Sequence, residues 1–459
     1  MEEEIFKVLR EKFKPFQGFP EYKEIPMNGI PREEIIGMIK KLIDNENKKW
    51  KEGYLSGCVY HGEDSHVEFL NEIYSIASQV NPLHPDVWPS SIKFEAEIVR
   101  MCSKIFNGKE SVCGSVTSGG TESIFLAMKT YRDYARKKFA INEPEIILPV
   151  SAHAAFHKSA EYLGIRIKYV KLDEQFCANV EEIKEKISDK TIAIVASAPC
   201  FPYGTIDPIK DISEVAEDKN IPFHVDACLG GFILPWAKRL GYPVPSFDFE
   251  LPGVTSISAD LHKYGYSPKG VSVILYRDPE LWRHQFYVNT KWPGGIYFST
   301  TFQGSKAGGL LIAAWAAMLH LGEEGYIQAT RKILEVADYI KENTSKFSEI
   351  KILGRPLWVL AFGSDVLNIY NVAEKMSEKG WGLNLLLNPP AFHIALTLRH
   401  DMSVARRFVS DLKISIEESK KLGSEAKGFA PIYGMMASLP VETSDELLSY
   451  LVQWMYMEP

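Results

Sequence analysis

The longest apolar run, Leu310–Leu319, is about half of the roughly 20 residues that a membrane span needs, which excludes a spanning helix there. No cysteine pair stands at CxxC spacing. The six cysteines (58, 102, 113, 177, 200 and 228) are scattered along the chain, so neither a disulfide frame nor a zinc or other metal site is expected, and the thiols read as reduced. Positive charge is in deficit as well. A net charge of −7 with no Lys/Arg-rich stripe excludes a nucleic-acid partner. The acidic start Met1-Glu2-Glu3-Glu4 lacks the apolar core of a secretory signal. There is no internal repeat and no low-complexity tract. A soluble, cytoplasmic, globular protein is expected, and its 459 residues exceed what one core usually organises, so it should fold as two or three lobes.

Residues 1–55 are charge-rich and helical in pattern, with Pro31-Arg32-Glu33-Glu34 as a helix start: proline suits the first turn, and acids suit the positive end. From about residue 90 the pattern alternates. Short apolar runs at 111–116, 146–150, 167–170, 191–196, 223–226, 255–258 and 271–276 read as buried strands. Helical stretches such as 121–138 and 209–219 lie between several of them. That alternation predicts an α/β fold: a mostly parallel seven-stranded sheet covered on both faces, in a large domain over 56–325. A helix over about 306–321 leads out of it into a smaller α+β domain, 326–459, which includes the apolar segment 393–398.

In such sheets ligands sit beyond the carboxyl ends of the strands. Asp226 ends one apolar run, in His224-Val225-Asp226-Ala227-Cys228. Lys263 follows the next, in Ser258-Ala259-Asp260-Leu261-His262-Lys263-Tyr264-Gly265. An aspartate and a lysine so placed suit pyridoxal phosphate (PLP): the carboxylate keeps the pyridine nitrogen protonated, and the lysine closes a Schiff base with the aldehyde. Ser118-Gly119-Gly120-Thr121 opens a helix after the first run, where glycines let N–H groups approach a phosphate and the helix adds its positive end. His153, after the second run and flanked by alanines, suits a ring stacked on the pyridine. His262 adds a donor near the phosphate. His157 and His224 carry no such signal and read as structural.

Thr117–Ser123, Ser151–Phe156, His224–Phe232 and His262–Gly270 together resemble the group II PLP-dependent decarboxylase family, and within it the sphingosine-1-phosphate lyase branch; the likeness runs from about residue 50 nearly to the end. The resemblance implies a type I aminotransferase-like fold and a homodimer with active sites at the subunit interface. Asn81 and His84, in Asn81-Pro82-Leu83-His84-Pro85-Asp86, match a segment lying near the cofactor and the substrate phosphate. Tyr60 and Lys269 match further residues of that phosphate pocket. Tyr297 matches a proton-transfer tyrosine, and Ser305 a residue that reaches the neighbouring subunit's cofactor phosphate. The chain departs from the family where it has Lys306-Ala307 in place of Arg-Pro, a change that bears on the substrate, since Arg and Lys are not interchangeable at a bidentate site.

The implied reaction is retro-aldol cleavage of the C2–C3 bond of a phosphorylated sphingoid base, giving a long-chain aldehyde and phosphoethanolamine. Asp226 would sustain the electron sink, and Lys263 and Tyr297 would move protons. A group II amino-acid decarboxylase would use the same cofactor machinery on a Cα–carboxylate bond. A catalytically silent scaffold on this fold would have no use for an intact Lys263 and Asp226.

Overall fold

Strands β1 (Cys113–Thr117), β2 (Glu145–Pro149), β3 (Arg166–Val170), β4 (Thr191–Ser197), β5 (Phe223–Asp226), β6 (Val254–Ala259) and β7 (Ser272–Tyr276) form one sheet in the order β1-β7-β6-β5-β4-β2-β3. They are those of the computed structural model, which describes residues 19–422 and 440–457. The acidic start Met1–Glu4, the early part of the expected 1–55 helical segment and residues 423–439 lie outside the described residues.

β2, β4 and β7 are buried at every position, in keeping with their Ile/Val/Leu-rich centres and with strands covered on both faces. β3, at an edge, alternates charged with apolar residues. Pairing is parallel from β3 through β6. β7 alone runs against both of its neighbours, β6 and β1. β1 therefore points the same way as β6, and the carboxyl ends of β1, β2, β4, β5 and β6 gather on one side. Buried clusters lie on the two faces. One is built on Ile124, Met128 and Tyr131 of helix Gly120–Phe139, and the larger runs from Phe223 and Trp236 into the small lobe.

Each sheet run foreseen in the sequence appears within a few residues of its expected limits. The outgoing helix begins at Gly308, not Lys306, and ends at about Leu321 as expected; a second helix follows it to Thr344. Gly322 (φ 58°, ψ −179°), in a non-helical backbone state open to glycine, separates the two. The 325/326 division falls in the first turn of the second helix. Beyond a hairpin of β8 (Tyr287–Asn289) and β9 (Tyr297–Ser299), the small lobe is an antiparallel sheet, ordered β10-β11-β13-β12. Its strands are β10 (Lys351–Ile352), β11 (Val359–Gly363), β12 (Asn384–Leu386) and β13 (Ala391–Ala395), backed by helices Ile369–Glu378 and Met402–Leu422. No helix among the described residues is long and apolar enough to cross a membrane.

Candidate active site

The gathered strand ends enclose a cavity of about 350 Å³ lined by Ser118, Gly119, Gly120, Thr121, His153, Asp226, His262 and Lys263. The glycine turn between β1 and helix Gly120–Phe139 is dictated by space. A Cβ on Gly120 would come within 2.9 Å of both Asp260 carboxylate oxygens and of Cys228 Sγ. The helix has no side-chain cap, so its first-turn N–H groups are available to an anion. Asp226 is 7% exposed, and its Oδ1 accepts the Cys228 N–H (3.0 Å) and the Ser258 hydroxyl (3.5 Å). No bond falls on Oδ2 among the described residues, which leaves it for a ring N–H. His153 caps helix Ala154–Leu163 by accepting the Ala155 N–H at Nδ1 (3.1 Å), an arrangement that fixes the ring plane and puts the imidazole proton on Nε2. An anion cradle, a carboxylate with a spare oxygen, a flat ring and a lysine around one space form the donor set that PLP requires.

Lys263 Nζ lies 2.9 Å from Asp260 Oδ2, and His262 Nε2 lies 3.6 Å from the same oxygen. Burial lowers the pKa of His262 and outweighs the pull of Asp260. On the far side of Lys263 is a second cavity of about 470 Å³, which shares His262 and Lys263 with the first and adds Tyr60 and Lys269. Lys269 Nζ sits 4.5 Å from the Tyr60 ring centroid, a cation–π contact. Tyr60 packs edge-on against buried Tyr264 (4.8 Å), and burial, opposed in part by Lys263, pushes its phenol up to about 12. Burial also lowers the pKa of Lys269.

Asn81, His84, Tyr297 and Ser305 line neither of these cavities. Asn81 Nδ2 donates to Ser305 Oγ (3.1 Å), and Asn81 Oδ1 accepts the Lys306 N–H (3.2 Å), so these residues form one corner of the molecule. Ser305 and Lys306 share a cavity of about 340 Å³ with Ser118, on the outer side of the glycine turn. The Lys306 ammonium is 4.0 Å from Glu95. His84 is exposed, and Tyr297 lies on the β8–β9 hairpin against Trp292 (6.2 Å). Around that hairpin Trp292, Ile296, Phe298 and Phe302 are all more than half exposed, at 53, 76, 57 and 75%.

Two groups carry no assignment from the sequence alone. Asp260 is 2% exposed and holds Lys263; its only sequence signal is an acid three positions before the lysine. His224, read as structural, joins a buried chain behind Asp226. Its Nδ1 meets Ser256 Oγ (2.7 Å), its Nε2 meets Ser258 Oγ (3.1 Å), and Ser258 donates to Asp226. Burial drops its pKa to about 4, so the ring is neutral and the chain carries hydrogen bonds, not charge. Alternation in β5 and β6 points these side chains the same way, which only the pairing of His224 with Ser256 makes visible.

The pyridoxal-dependent decarboxylase conserved domain matches residues 20–360, and the chain belongs to that family. It uses pyridoxal phosphate and is a lyase. Within the family its likeness is to the sphingosine-1-phosphate lyases. It is 43% identical to that of Drosophila melanogaster over 91% of this chain and 77% of the fly protein, and 44% identical to that of Arabidopsis thaliana over 91% and 78%. The solved sphingosine-1-phosphate lyase of Burkholderia pseudomallei superposes with a TM-score of 0.87 at 39% identity, covering 92% of this chain and 99% of that one. Lactobacillus brevis glutamate decarboxylase, at 21% identity and a TM-score of 0.77 over 91% and 99%, shares the fold.

Proposed function

We propose that the protein is an aldehyde-lyase that cleaves the C2–C3 bond of sphingosine 1-phosphate, or of a closely related phosphorylated amino alcohol, to a long-chain aldehyde and phosphoethanolamine. One observation carries the choice of lyase over amino-acid decarboxylase. Lys269 and Tyr60 stand together in a cavity that opens from the Lys263 wall, where a substrate bonded beside Lys263 would place its phosphate. A phosphate monoester calls for cationic and hydroxyl donors, and Lys269 supplies the first and Tyr60 the second.

The bound cofactor supplies an electron sink for the breaking bond. In this reading Lys263 would bond the cofactor aldehyde, Asp226 would hold the ring nitrogen, His153 would cover the ring, and the Ser118–Thr121 turn with His262 would hold the cofactor phosphate. Lys263, once released, moves protons at the substrate. Asn81, His84, Tyr297 and Ser305 act on the site of a second copy of the chain, so the working unit is a homodimer. The exposed apolar residues of the β8–β9 hairpin beside them support that assignment. A cytoplasmic location accords with six free cysteines.

The test is aldehyde release from sphingosine 1-phosphate measured beside carbon dioxide release from several amino acids. Aldehyde from the phosphorylated lipid, and little from the unphosphorylated base, is expected. Carbon dioxide without aldehyde would replace the lyase by a decarboxylase.

A further inference from the structure

The Lys263–Asp260 pair has no role in the site as assigned so far. The Asp260 side chain is 2% exposed and that of Lys263 24%, and taking such a pair out of water can cost more in desolvation than the attraction returns. Asp260 Oδ1 lies buried with no hydrogen-bond partner among the described residues, so the carboxylate is held through Oδ2, on Lys263 at 2.9 Å and beside His262 at 3.6 Å. The carboxylate packs under Gly120, at the base of the turn.

We propose that Asp260 is a positioning residue for Lys263: its carboxylate holds the lysine ammonium against the base of the glycine turn whenever Nζ carries no bond to the cofactor, and so keeps the freed amine charged and in place during turnover. This rests on the reading of Lys263 as the residue that bonds the cofactor.

The surrounding groups leave this task to Asp260. The other two carboxylates lining the cavity are engaged by backbone N–H groups: Asp226 by that of Cys228, Glu122 by those of Ser118 and Phe302. Burial pushes the thiol of Cys228 and the phenol of Tyr60 up, so both are neutral near pH 7. His262 is lowered and therefore mostly uncharged, and Lys269 opposes a second positive charge nearby. Burial alone would lower the pKa of Lys263; Asp260 reverses that, and the net direction is upward.

An amine reacts only after losing its proton, so the arrangement is read directly by competitive acylation of the cofactor-stripped, full-length protein over about pH 7 to 11, with the Lys263 peptide quantified by mass spectrometry. The wild-type midpoint is expected above the ordinary lysine value of about 10.4. Asp260→Asn should lower it by about 1–3 units, the usual effect of removing an adjacent opposite charge, and Asp260→Glu should restore much of it. A role confined to packing would alter thermal stability and leave the midpoint where it was. Should Asp260→Asn not fold, the wild-type midpoint alone decides. Borohydride reduction of the loaded protein checks the underlying reading separately, since a label on Lys269 or Lys306 would remove Lys263 from the chemistry without touching the acylation result. A wild-type midpoint at or below the ordinary value, or one unmoved by Asp260→Asn, overturns the proposal.

Discussion

The residues around Lys263 and those around Ser305 come from the same kind of sequence motif, yet the fold treats them differently. The first set sits on short exits from β1, β2, β5 and β6, and the shared direction of those strands in one sheet brings them to one cavity within a single chain. The second set sits on loops and a hairpin away from that cavity, with Asn81 bonded to Ser305 and Tyr297 on the hairpin, near exposed Trp292, Ile296, Phe298 and Phe302. A sheet positions the residues at the ends of its strands. A hairpin with an uncovered apolar face positions nothing until another surface meets it.

Four experiments break or sharpen that contrast. Lys263→Ala should abolish turnover and the imine absorption band together, because no other amine lies at that point of the cavity wall; an intact band would move the chemistry elsewhere. Mixing this inactive chain with an inactive Tyr297→Phe chain is the direct comparison of the two sets. If each site draws Lys263 from one copy and Tyr297 from the other, mixed dimers carry one complete site, and roughly a quarter of full activity should return. No recovery on mixing would mean that Tyr297 serves its own chain or none.

Asp226→Asn should keep the cofactor, since the glycine turn is untouched, yet lose on the order of a hundredfold in kcat, the scale of one lost preorganised electrostatic contact. Near-normal kcat would remove Asp226 from the mechanism. Lys269→Ala is the mildest. Loss of one charged hydrogen bond is worth about 1.5–3 kcal/mol, or roughly 10- to 100-fold in kcat/KM for the phosphorylated substrate, with the absorption spectrum unchanged. Equal losses on phosphorylated and unphosphorylated bases would place Lys269 outside the phosphate pocket.

The fold is largely legible in the sequence because its signals are local. Runs such as Ile146-Ile147-Leu148 and Val273-Ile274-Leu275 have few fates other than a strand buried on both faces, and helices alternating with them dictate a parallel sheet. The helix end at about Leu321 is legible for the same local reason, since Gly322 takes a non-helical backbone state open to glycine and the helical pattern stops with it.

Residue types and spacing by themselves determined the cofactor: an aspartate ending one apolar run, a lysine after the next and a glycine turn opening a helix are chemical requirements carried on adjacent elements. Three matters were decided only in three dimensions. Asp260 became the partner of Lys263 because the turn after β6 sets the two side chains, three positions apart, against each other beside Gly120. His224 became part of the Asp226 network because β5 and β6 pair in the register that sets it beside Ser256 and Ser258. Lys269 and Tyr60, far apart in the chain, met across one cavity, while exposed His84 and half-buried Tyr297, drawn from the same motif set, line neither that cavity nor its neighbour. Proximity between distant segments is set by strand order and packing, and neither is encoded in any local stretch of the chain.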